Sequence, residues 1–137
     1  FFFQVAQRYN KPFSLALIDV DSFKSINDTH GHAAGDFVLK TIARLLNEVL
    51  RKSDIIVRYG GDEFVIIFPE VGETAATAGI NRVVKRISMD TFIFEDLGIE
   101  ISFSISFGAV EFQNSFESET QMFDLADAKL YENKKIN

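Results

Sequence analysis

Two acidic clusters in this 137-residue chain carry residue types that could do chemistry. The first is Asp19-Val20-Asp21, followed by Phe23-Lys24 and Asn27-Asp28. The second is Gly60-Gly61-Asp62-Glu63-Phe64, where two glycines without a Cβ let a ligand approach the backbone beside two adjacent carboxylates. If the two segments lie on neighbouring strands, Asp19 and Asp62 face each other across a gap. Like charges held that close are costly unless one is protonated or a cation lies between them. Oxygen-only ligands with an open side suit Mg²⁺, which completes its shell with phosphates and water, and Mn²⁺ accepts the same oxygens. Such a donor set fits two-metal nucleotidyl transfer, in which metals hold the attacking oxygen and the leaving group. Each cluster also has a plainer reading: Asp21 as a cap at a strand exit, and the glycine-acid run as an exposed turn.

The elements that must position these residues are legible in the hydrophobic pattern. Residues 1–9 read as a helix, broken by Asn10-Lys11-Pro12, and Phe13 to Val20 is a near-continuous apolar run, the signature of a buried central strand with acids at its C-terminal edge. A polar, glycine-bearing segment follows. Val38, Ile42, Leu45 and Val49 then recur at helical spacing to about Arg51. Ile55 to Val57 and Phe64 to Phe68 flank the Gly-Gly pair as a hairpin. Ala76, Ile80, Val83 and Ile87 mark another helix, and Ile99 to Phe107 alternates with Glu and Ser as one half-buried strand, with a short partner at Thr91 to Phe94. Ser118 is placed to cap a last helix carrying Met122, Leu125, Ala126 and Leu130. The order predicts an α/β sandwich whose β-α-β-β-α-β core is a ferredoxin-like palm, a mainly antiparallel sheet flanked by helices.

Composition narrows the chemistry. With no cysteine, thiolate metal sites and thiol nucleophiles are excluded, which fits a reducing, cytoplasmic setting. A net charge of -6 without a basic, aromatic-interleaved run argues against a nucleic-acid polymer as partner. No apolar stretch approaches the roughly 20 residues of a membrane span, so no membrane contact is expected of this domain. The fifteen phenylalanines are expected to fill the core. The start without Met suggests an excised output domain of a larger sensor.

Specificity comes from combination. Asp-x-Asp-x-Phe-Lys-x-x-Asn-Asp, then Gly31-His32 and Gly35-Asp36, then Arg58-Tyr59-Gly60-Gly61-Asp62-Glu63-Phe64, closely resembles the GGDEF family of bacterial diguanylate cyclases. Ile105-Ser106-Phe107-Gly108 resembles the family's late strand, and Ala126-Asp127 with Leu130-Tyr131 and Lys134 its final helix. The resemblance covers essentially residues 1–137 as a single domain trimmed at both ends: the family's Asp-x-Leu-Thr stretch is missing upstream, and its glycine-arginine-asparagine ending is missing downstream.

The resemblance implies a similar fold to nucleotide cyclase catalytic domains and a specific division of labour. Asp19, the Val20 carbonyl and Asp62 match magnesium ligands, with Glu63 assisting, and Asp62 matches the acceptor of the 3′-hydroxyl proton. Lys24 matches the catalytic lysine that stabilises the transition state. Asn27 and Asp36 match the guanine-reading pair, with His32, Phe23, Gly60 and Gly61 near the substrate GTP and Lys134 reaching the phosphates. Arg51-Lys52-Ser53-Asp54 matches the Arg-x-x-Asp site at which product cyclic di-GMP feeds back as inhibitor, with Arg82 as a secondary arm. One GTP per domain and two phosphodiester links per product imply a homodimer. The alternative is a non-catalytic module that senses GTP or cyclic di-GMP.

Overall fold

Strand β1 (Phe13–Val20) organises the molecule, which the computed structural model describes over residues 2–136. All but one of its residues are buried, as the continuous apolar run predicts. It pairs antiparallel on one side with β3 (Glu63–Pro69) and on the other with β6 (Ile105–Glu111). Strand β2 (Ile55–Tyr59) joins β3 through the Gly-Gly hairpin, completing a sheet in the order β2-β3-β1-β6. Two β-α-β units are thus each split by an antiparallel strand, the topology of the ferredoxin-like palm.

Alternation along β1 divides the core into two layers. Ala16, Ile18 and Val20 cluster with Val38, Ile42 and Leu45 of α3 (His32–Val49) and with Ala76, Ile80 and Val83 of α4 (Glu73–Met89). Phe13, Leu15 and Leu17 cluster instead with Phe3 and Ala6 of α1 (Phe2–Tyr9) and with Met122, Ala126 and Leu130 of α5 (Glu119–Ile136). Side chains on a strand have period two, so the odd-numbered face that carries Leu15 and Leu17 also carries Asp19 toward α5. Eight phenylalanines, Phe3, Phe13, Phe64, Phe68, Phe92, Phe94, Phe112 and Phe116, are buried in these layers.

Helix α5 lies directly on β6. A Cβ on Gly108 would overlap the Ala126 carbonyl oxygen and come within 2.5 Å of the Leu130 amide nitrogen. From this close seat, Lys129 Nζ donates to the Ala109 carbonyl at 3.0 Å and Asn133 donates to the Phe107 carbonyl. These bonds occupy carbonyls of an edge strand that would otherwise invite pairing. Ser118 Oγ caps α5 by accepting from the Gln121 amide at 3.2 Å.

Three features depart from the pattern read in the sequence. The polar segment after β1 forms a helix, α2 (Phe23–His30), in which only Ile26 is buried. One fully buried residue and the half-buried Phe23 in two turns make too short a stripe to read as a period. The strand expected over residues 99–107 is broken: β5 (Ile99–Glu100) pairs with β4 (Ile93–Phe94), residues 101–104 leave the sheet, and β6 begins at Ile105. The break is held by Asp21, whose amide donates to the Ser104 carbonyl and whose carboxylate accepts from Ser104 and Ser106 hydroxyls at 2.6 Å each. Finally, Leu125 of α5 is exposed, not part of the buried face.

Because backbone, not a flexible side chain, fills the space beside Gly108, Gly108→Ala should separate α5 from β6. Overpacking of this kind costs about 1–3 kcal/mol. Urea unfolding should show a lower midpoint with little change in slope.

Candidate functional site

Asp19 stands at the last odd position of β1, opposite Glu63 on β3 and Ser106 on β6. Asp62 is the residue before β3, held at that level because its carbonyl accepts from the Val20 amide at 3.3 Å. Gly60, with φ of +73°, makes the tight three-residue connection that returns the chain at this height. As a result, carboxylate oxygens of Asp19, Asp62 and Glu63 all lie within 4.8 Å of one another.

The electrostatics of this cluster are unfavourable as it stands. The Asp19 side chain is only 13 % exposed. One of its oxygens lies 2.6 Å from Lys134 Nζ, which α5 delivers across the sheet edge, while the other, Oδ1, is buried with no hydrogen-bond partner. Burial, reinforced by hydrogen bonding and charge from Asp62, pushes the Asp19 carboxyl up to about 6 even though Lys134 pulls it down. Burial also raises Glu63, as do the negative charges of Asp62 and Asp127. Burial alone would lower Lys134, but its hydrogen bond to Asp19 and the charges of Asp19, Asp21 and Asp62 hold its proton more tightly than usual. Oxygen ligands of this number, with a buried acceptor lacking a donor, fit a hard divalent cation.

On the other side of β1, α2 and α3 bring together most of the remaining candidates. Phe23 and Lys24 open the first turn of α2, where helical amides have no intrahelical acceptor. Lys24 is exposed and Phe23 half-buried, packed against the α3 core layer. Gly31, at φ +93° and ψ 164°, turns the chain sharply from α2 into α3 and donates to the Asn27 carbonyl at 2.8 Å. His32 and Asp36 are exposed on the first turns of α3. Asp36 therefore lies inside the helix, just past its first turn. Asn27 is half-buried against Gly35, the residue before Asp36.

Arg51 and Asp54 form a separate unit at the end of α3. Asp54 is only 3 % exposed at its side chain and accepts from the Arg51 amide at 2.9 Å and from its guanidinium at 3.0 Å. Arg51 also donates to the Pro69 carbonyl at 3.1 Å. The carboxylate thus orients a half-exposed guanidinium. Arg82 of α4 passes beside Gly79, which also faces Leu50, the neighbour of Arg51.

Two features of the site escape sequence reading. The Asp21 brace to Ser104 and Ser106 links residues more than 80 positions apart. Asp127, which acts on Glu63 through space, becomes adjacent only when α5 docks.

The model of the diguanylate cyclase GGDEF domain matches residues 2–137. The chain belongs to the GGDEF domain family. Among curated members it is 37% identical over 122 residues to Diguanylate cyclase A of Treponema denticola, covering 89% of this chain and 32% of that protein. It is 37% identical over 126 residues to Diguanylate cyclase DosC of Escherichia coli, covering 92% of this chain and 27% of that protein. The chain spans about a third or less of the length of these GGDEF relatives. Among solved structures, the GGDEF domain of DgcB from Caulobacter crescentus in complex with c-di-GMP superposes with a TM-score of 0.91 at 28% identity, covering 98% of this chain and 78% of that one. Diguanylate cyclase SiaD from Pseudomonas aeruginosa, in complex with its activator SiaC, gives 0.89 at 32% identity, covering 98% and 51%.

The raised carboxyl of Asp19 has a signed consequence. Asp19 ionises near 3.8 when unfolded and near 6 when folded, so its charge destabilises the fold progressively as pH rises between those values. Asp19→Asn removes that dependence. Without metal, the unfolding free energy of the variant relative to the parent should rise by on the order of 2–3 kcal/mol between about pH 4 and pH 7, then level off. Thermal melts in chelator across this range check it.

Proposed function

We propose that this domain is a diguanylate cyclase, condensing two GTP into cyclic di-GMP and two pyrophosphates. It acts as a homodimer with one GTP per subunit, in the cytoplasm, with Mg²⁺ or Mn²⁺ at the acidic cluster. The observation that carries the reading is the convergence of Asp19, Asp62 and Glu63, whose carboxylate oxygens lie within 4.8 Å of one another, together with a buried Asp19 oxygen that has no partner. The names of the curated relatives support the same reaction.

Asp19, Asp62, Glu63 and the Val20 carbonyl would hold a divalent cation, which would supply positive charge against the triphosphate and lower the pKa of the 3′-hydroxyl. The Asp62 carboxylate accepts the hydroxyl proton. The 3′-oxygen then bonds to the α-phosphorus of the partner subunit's GTP, the bond to the β-phosphate bridging oxygen breaks, and pyrophosphate leaves. The same exchange in the opposite direction closes the ring. Lys24 stabilises the charge that builds on the transferring group, and the free amides of the first turn of α2 cradle phosphate oxygens. Lys134 exchanges its Asp19 contact for the phosphates. Asn27 and Asp36 read the guanine, an amide and a carboxylate matching its donors and acceptors, with Phe23, His32, Gly60 and Gly61 lining the approach.

The Arg51 and Asp54 pair is the product-inhibition site, assisted by Arg82. An orientated guanidinium presents a planar fork for a phosphate or a guanine edge. Since Asp54 is already engaged by Arg51, its main contribution is to hold that fork.

Turnover at a site shared between two subunits should rise more steeply than enzyme concentration. Incubation of the domain, freed of bound nucleotide, with GTP and Mg²⁺ should yield a cyclic GMP dimer by mass spectrometry, and Asp62→Ala should lower the rate at least about a hundredfold. Intact GTP after forced dimerisation by a fused coiled coil would leave a nucleotide sensor as the better reading. Arg51→Ala should keep the initial rate and abolish the slowing that accompanies product accumulation, seen as progress curves that stay linear when cyclic di-GMP is added.

A further inference from the structure

Gly35 is buried inside α3, one turn from its start, where alanine would favour the helix over glycine. What occupies the missing side chain's place is the amide of Asn27. A Cβ on Gly35 would overlap Asn27 Oδ1, lie 2.9 Å from Asn27 Cγ and 3.1 Å from Phe23 Cζ. Asn27 Oδ1 is itself buried and has no hydrogen-bond partner. An asparagine kept only for packing would be better replaced by an apolar residue, because a buried polar atom without a partner is costly. The seat therefore serves the other end of the amide of the half-buried Asn27, which rests against Gly35, the residue before Asp36.

We propose that Gly35 is a positioning residue for base selection: its bare Cα is the seat that fixes the Asn27 amide next to Asp36. This rests on the reading of Asn27 and Asp36 as the pair that recognises guanine. Filling the seat evicts the amide toward solvent and toward the base, so selectivity falls while the acidic cluster, on the opposite side of β1, keeps its geometry. Gly35 acts chiefly through Asn27, since the Phe23 ring edge at 3.1 Å needs to give by only a few tenths of an ångström, and most of its effect vanishes once the Asn27 side chain is cut back.

The test is a double-mutant cycle read by calorimetric binding of the non-hydrolysable α,β-methylene analogues of GTP and ATP with Mg²⁺. Gly35→Ala should weaken the GTP analogue at least tenfold and shrink the preference for it over the ATP analogue by a similar factor. Asn27→Ala should do the same, and Asn27→Ala/Gly35→Ala should bind no worse than Asn27→Ala. A further tenfold loss in the double variant, or parental selectivity in Gly35→Ala, overturns the role of Gly35 while leaving guanine recognition standing. A parental domain that does not prefer the GTP analogue overturns both.

Discussion

Three carboxylates forced together at the end of a buried strand are the constraint around which this fold is arranged. Asp19 cannot turn away, because strand alternation aims it at the face that α5 covers, and Asp62 is tied to the same level by the backbone bond from Val20. Of the two oxygens of Asp19, Lys134 pairs with one and leaves the other unpartnered. That ion pair depends on α5 lying close against β6, which in turn depends on the absence of a side chain at Gly108. A surface ion pair would contribute little, but this one is sheltered. It brings a positive charge to within 2.6 Å of Asp19, in a cluster of like charges.

The two halves of the site are built on different physics. The acidic half uses strand register, which is rigid and places side chains in fixed alternation. The half formed by α2 and α3 uses a helical hairpin pinned by Gly31 and by the fit of Asn27 against Gly35. β1 separates them and connects them, since Val20 and Asp21 lead directly into α2, and the Asp21 brace to Ser104 and Ser106 fixes the point of departure. Ser22, just before α2, adopts a left-handed conformation at φ 53°, one of three non-glycine residues, with Asn10 and Glu70, that do so among the described residues.

Much of this was legible in the residues. The continuous run Phe13 to Val20 read as a buried strand and the Gly-Gly pair as a hairpin, so the meeting of Asp19 with Asp62 was expected on the condition that the two are neighbours, which the pairing of β1 with β3 supplies. The regular i, i+4 spacing in α3 and α4 was equally plain. α2 was not legible, because a helix that fully buries only Ile26 has too short an apolar stripe. The break at residues 101–104 was hidden by an Ile/Phe and Ser alternation that reads as continuous strand, while the interactions that end it come from Asp21 far upstream. The seat at Gly35 and the charge of Asp127 near Glu63 are products of packing, which spacing along the chain does not encode.

If the domain works as proposed, the cluster exchanges the ammonium of Lys134 for a divalent cation when a triphosphate arrives. The most direct measurement is electron paramagnetic resonance of Mn²⁺ titrated into the domain with and without the α,β-methylene analogue of GTP. The account predicts tight Mn²⁺ binding with the nucleotide that Asp19→Asn and Asp62→Asn abolish, and stronger nucleotide-free binding in Lys134→Met than in the parent chain. Mn²⁺ binding unchanged by either carboxylate substitution, or weakened without nucleotide by Lys134→Met, would contradict it.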